Sequence, residues 1–132
     1  MSENENIALV KKVYGLFSSG DILGLLSQFA DDITWETPGA PRVPYAGRFR
    51  GRDDVAKFFE GLGKTAEFDR FEPREFIAQA DRVVVLRYYS GKGRITGRPF
   101  GTNWAMVFTV QRDKVTGFHE FFDTENLGGA FT

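Results

Sequence analysis

The stretch Lys114-Val115-Thr116-Gly117-Phe118-His119-Glu120-Phe121-Phe122-Asp123 sets titratable groups among aromatic rings. Read as a strand, it alternates: Phe118, Glu120 and Phe122 share one face, and His119, Phe121 and Asp123 share the other. A carboxylate held among rings loses its hydration, which raises its pKa and suits it to proton transfer near neutral pH. Alternation alone does not say which face looks inward. The competing account of either carboxylate is a rim group or a structural ion pair.

Arg87 and Tyr89 form a second pair, at the end of an apolar row begun by Val83 and Val85. An arginine pointing inward needs a carboxylate partner, and Glu120 is the natural one. Such a pair either neutralises two buried charges or acts on a substrate. Glu120, Arg87 and Tyr89 are therefore the candidate catalytic residues. Tyr14, Trp35, Phe58, Asn103, Phe118 and Phe122 are the candidate binding residues for a small apolar or aromatic ligand. His119 stands alone and reads as an outward or interface side chain.

Other groupings carry less chemistry. Gly61-Leu62-Gly63-Lys64-Thr65 ends like a phosphate-binding loop, but Phe58 stands where the first glycine belongs. The segment also closes a helix, and a helix C-terminus presents carbonyls that repel phosphate. Gly91-Lys92-Gly93-Arg94, with Arg98, reads as a basic hairpin tip in solvent. Arg42, Arg48, Arg50 and Arg52 make a positive cluster that Asp53 and Asp54 partly neutralise.

Composition narrows the chemistry further. The 132 residues carry 17 basic and 18 acidic side chains, a net charge of -1, without the basic footprint of a nucleic-acid or membrane binder. With no cysteine and the single histidine His119, disulfides, thiolate nucleophiles, zinc ribbons and multi-histidine metal sites are excluded. No metal and no cofactor are expected. The acidic start MSENENIA is unlike a signal peptide, and the longest apolar run, Trp104 to Phe108, is far short of a membrane span. These features point to a soluble, cytoplasmic protein of one domain, residues 1–132. Its 14 phenylalanines, with two tryptophans and four tyrosines, fill a small core with bulky rings or line a cavity.

The elements that must position these residues follow from periodicity. Ile7, Val10, Val13, Tyr14 and Phe17 predict a helix over 5–18, and Asp21 caps a second one carrying Ile22 to Phe29. Residues 33–37 alternate as a short strand ending at Pro38-Gly39, and 38–50 read as an ordered loop. Asp53 caps a third helix with Val55, Phe58, Phe59 and Leu62 on its apolar stripe. Strands are predicted over 66–79, 82–90, 95–110 and 115–123, with turns at Ala80-Asp81 and Arg112-Asp113. This order gives an α+β fold, with helices on one face of a curved antiparallel sheet.

Gly20-Asp21-Ile22, Phe29 through Gly39, Gly51 through Phe59, and Asp113 through Asp123 together resemble the SnoaL-like and ketosteroid isomerase-like branch of the nuclear transport factor two-like superfamily. The resemblance covers nearly the whole chain. It implies a cystatin-like cone, three helices packed against a strongly curved antiparallel sheet around an apolar pocket. It also implies a homodimer formed through the outer sheet face, which would bury Trp104, Met106 and Phe121.

The steroid isomerases' catalytic aspartate falls at Thr37, their oxyanion tyrosine near Val13, and their second acid at Ala105, so steroid isomerisation is not implied. In limonene-epoxide-hydrolase-like and SnoaL-like cyclase members, a catalytic aspartate on the closing strand falls at Glu120. The hydrolases' arginine and second aspartate fall at Arg87 and Tyr89, and their water-holding tyrosine and asparagine at Trp35 and Thr37. An acid and an arginine are kept. The resulting expectation is cofactor-free general acid–base chemistry of the isomerase, cyclase or hydratase/epoxide hydrolase class on an apolar, carbonyl-bearing or polycyclic substrate. The alternative is a non-catalytic ligand-binding or dimerisation module.

Overall fold

The computed structural model describes residues 2–132. Helix α1 (Glu3–Ser18) opens on a capping box in which the Ser2 hydroxyl accepts from the Glu5 N–H and the Glu5 carboxylate accepts from the Ser2 N–H. That box starts the helix two residues earlier than its apolar spacing indicates. Asp21 caps the short α2 (Ile22–Leu26) through the Gly24 N–H, as expected. Helix α2 stops before Phe29, because Phe29 opens strand β1 (Phe29–Thr37) and pairs with Val115.

The expected loop contains a further strand, β2 (Gly47–Arg50), which pairs antiparallel with β1. Helix α3 (Arg52–Thr65) is preceded by Gly51 at φ 86°, not capped by Asp53; a residue there must enter left-handed space, which glycine does without cost. Strands β3 (Ala66–Gln79), β4 (Arg82–Gly93), β5 (Pro99–Gln111) and β6 (Lys114–Phe122) then form a meander. Arg112 and Asp113 both take positive φ in the β5–β6 turn, as tight hairpins require. A fourth helix, α4 (Thr124–Phe131), was not expected; Asp123 caps it through the Asn126 N–H.

The six strands lie in the order β2-β1-β6-β5-β4-β3. The sheet is mixed, not purely antiparallel, because β1 runs parallel to β6. Parallel neighbours need a long connection, and β2, α3 and the rest of the meander supply it. The fold is otherwise the expected α+β cone: a curled, unclosed sheet with helices against its concave face. Val10, Val13 and Tyr14 of α1 and Val55, Phe58 and Leu62 of α3 pack into one core with Val83, Val85, Phe108 and Phe118 of the sheet. That core settles the direction of each strand face. Phe118 and Glu120 look inward, whereas Phe121 is 49% exposed on the outer face. Trp104 and Met106 are also inside, so of the three residues expected to be buried by a partner chain only Phe121 is exposed.

Candidate functional site

Glu120 is 4% exposed, the one buried carboxylate among the described residues. Strand β6 holds it between neighbours chosen by register: Met106 lies across from it on β5, and Phe118, one inward position earlier, stacks on Trp35 of β1 with centroids 3.7 Å apart. The Tyr89 hydroxyl, arriving from β4, donates to Glu120 Oε2 at 2.7 Å. Its ring is fixed by nearly parallel packing on Phe71 and Trp104. Burial pushes the Glu120 pKa up to about 7, against which the Tyr89 hydrogen bond, favouring the charged form, works only in part.

Beside the carboxylate lies a cavity of about 60 Å³, room for roughly four to six waters at ~10–15 Å³ each. The candidates Tyr14, Trp35, Phe58 and Phe118 line it, together with Tyr89 and Glu120. Three phenols sense the carboxylate. Desolvation first, and the Glu120 charge second, raise the pKa of Tyr14, Tyr45 and Tyr89, so all three stay neutral donors at any physiological pH. The Tyr89 hydroxyl is committed to Glu120, while the Tyr14 hydroxyl donates at 3.0 Å only to the Met106 thioether, a weak acceptor that a substrate oxygen would replace. Trp35 Nε1 and Thr37 Oγ1 are buried without a hydrogen-bond partner among the described residues.

Three expected members are elsewhere. Arg87 does not meet Glu120: its side chain is 45% exposed and pairs with Glu75 of β3. A register shift in β3 between Pro73 and Glu75 brings that carboxylate alongside. Pairing at a hydrated sheet edge avoids the desolvation that a buried arginine would incur. Asn103 is exposed, on the opposite face of β5 from Trp104, and does not line the cavity. Phe122 is only half-buried and stands behind Tyr89, its ring centroid 6.5 Å away, rather than on the cavity wall. His119 is on the outer face, its Nε2 2.7 Å from Glu36, as its outward reading requires.

Tyr45 is the titratable lining residue that the sequence reading missed, and Phe68, Phe71 and Met106 are lining residues that it also left out. Tyr45 sits in the loop between β1 and β2, yet it is buried, edge-on to Phe58 and to Phe131 of α4. An aromatic within a Pro- and Gly-rich loop was the available signal, but its burial depends on α4, which was not foreseen. Among the described residues, no group of three or more His, Cys, Asp or Glu side chains is placed to hold a metal. No helix among them is long and apolar enough to cross a membrane.

The chain is thus a cone-shaped α+β fold enclosing a small apolar cavity that carries a single carboxylate. The SnoaL-like domain pattern matches residues 10–118, and the chain belongs to that family. Its fold is shared by an NTF2-like protein from Burkholderia xenovorans LB400, 36% identical with a TM-score of 0.92, over 100% of this chain and 99% of that one. TerC, crystallised with polyporic acid, is 26% identical with a TM-score of 0.81, over 96% of this chain and 98% of its own. An uncharacterized protein of Mycobacterium tuberculosis is 25% identical over 122 residues, 92% of each chain.

Proposed function

We propose that this SnoaL-like protein is a cofactor-free acid–base enzyme acting on a small, largely apolar substrate, with Glu120 as the group that moves the proton. The observation that carries the reading is the Glu120 carboxyl itself, buried at the wall of an open cavity and poised near pH 7. As carboxylate it takes a proton from a carbon next to a carbonyl; as acid it returns the proton elsewhere, the combination an isomerisation or aldol-type cyclisation needs. Tyr89 steadies the ionised form, and Tyr14 or Tyr45 donates to the oxygen on which negative charge develops. Arg87 has no part in this scheme. The room beside Glu120 suits a small molecule better than the polycyclic one that the resemblance allowed.

The test is deuterium exchange into cyclopentanone in D₂O, followed by proton NMR. The protein is expected to accelerate exchange with a rate that rises through pH 7, and Glu120→Gln is expected to remove the acceleration while leaving the fold intact. Equal exchange by both proteins, at the rate of buffer alone, would leave ligand binding without catalysis as the function. Association of two copies through the outer sheet face, where Phe121 is exposed beside His119, completes the proposal.

A further inference from the structure

Eleven of the sixteen residues lining the cavity are aromatic, and the charged member is Glu120. No lysine, arginine or histidine is among them, because Arg87 is spent on Glu75 at the sheet edge. The arrangement is thus a buried anion inside a box of rings without a counter-charge. Ring faces carry negative electrostatic potential and attract organic cations strongly once water is excluded. A buried carboxylate gains most from a partner of opposite charge. An anionic ligand finds nothing here to neutralise it.

We propose that the cavity is a binding site for a small organic ammonium ion, held by the surrounding rings, Tyr14, Trp35, Tyr45, Phe58, Phe71 and Tyr89 foremost, with Glu120 as its counter-ion. The size agrees: about 60 Å³ admits a tri- or tetramethylated nitrogen, whose few heavy atoms match the roughly four to six waters such a space holds. The neutral phenols contribute dipoles and do not compete as charges. This assignment concerns what the cavity holds and stands whether or not Glu120 moves a proton. The two are compatible, since an ammonium group acidifies the C–H bonds beside it.

Binding a cation favours ionised Glu120, so affinity rises with pH through about 7 and levels off above it. The titratable groups facing Glu120 are Tyr89 from β4, Tyr14 from α1 and Tyr45 from the loop; α2, α3, β1, β3 and β5 contribute none to the lining. The phenols keep their protons throughout that range, leaving one transition.

The experiment is calorimetric titration with tetramethylammonium chloride at constant ionic strength, with tert-butanol as a neutral compound of similar size. Tetramethylammonium is expected to bind at pH 8 at least tenfold more tightly than tert-butanol, and to lose more than tenfold between pH 8 and pH 5.5. Glu120→Gln is expected to remove that advantage while tert-butanol binding persists. Equal affinity of the two probes for the unaltered protein, or an ammonium affinity flat across pH, overturns the assignment without recourse to any variant. Either result would leave the exchange test of the acid–base reading untouched.

Discussion

Replacing Glu120 by glutamine keeps the shape of the protonated side chain and its acceptor for the Tyr89 hydroxyl but removes the ability to ionise. In the unfolded chain the carboxyl titrates near 4.5; in the folded protein burial raises this to about 7. Between those values the folded state binds the extra proton, so stability falls as pH rises, and the loss is complete above the folded value. A difference of roughly 2.5 units at ~1.36 kcal/mol per unit gives about 3 kcal/mol. Urea unfolding followed by the fluorescence of the two buried tryptophans, Trp35 and Trp104, measures it from pH 4 to pH 8.5. The two proteins are expected to coincide near pH 4, and the glutamine variant to be the more stable by about 3 kcal/mol at pH 8, a midpoint displacement of roughly 1–3 M for an m-value of ~1–3 kcal/mol/M. Other groups titrate alike in both proteins and cancel. A gap that stays constant with pH, or a parent more stable at pH 8, refutes the burial argument.

Tyr89→Phe removes the hydrogen bond that favours the carboxylate, so the pH transition in stability should move to higher pH, with a cost of about 1–3 kcal/mol above it; the same unfolding series reads both. Trp35→Ala should cost about 3–5 kcal/mol, because the ring is buried against Phe118 and leaves a void that the sheet cannot close; thermal unfolding checks this. Arg87→Ala should change stability by less than about 1 kcal/mol and leave the Glu120 transition in place; a shift of that transition would restore the inward arginine. Phe121→Arg should shift a dimer to monomer in sedimentation while leaving cyclopentanone exchange intact.

The strand alternation of Phe118-His119-Glu120-Phe121 was legible in the sequence, and so were Glu120 and Tyr89 as site candidates, but the partner it offered Glu120 was Arg87, and the hydrogen bond from Tyr89 came only with the structure. Which face was inward required the helices: only once α1 and α3 cover the side bearing Phe118 does Glu120 become the buried acid. Arg87 misled because its alternation with Val83 and Val85 is genuine, while the shift in β3 that offers it Glu75 lies in another strand. The parallel pairing of β1 with β6 is equally non-local, fixed by contacts between residues some eighty positions apart such as Trp35 and Phe118. Tyr45 escaped notice because its burial depends on α4, whose short run Thr124–Phe131 carries two glycines and little periodicity.

The central claim is that Glu120 exchanges its proton near neutrality inside the cavity. Carbon-13 NMR of protein labelled at the glutamate carboxyls, with the Glu120 signal assigned by its loss in Glu120→Gln, follows that proton directly. The account predicts a titration midpoint near 7 for this resonance. A midpoint near 4.5, the value of a hydrated glutamate, would contradict it.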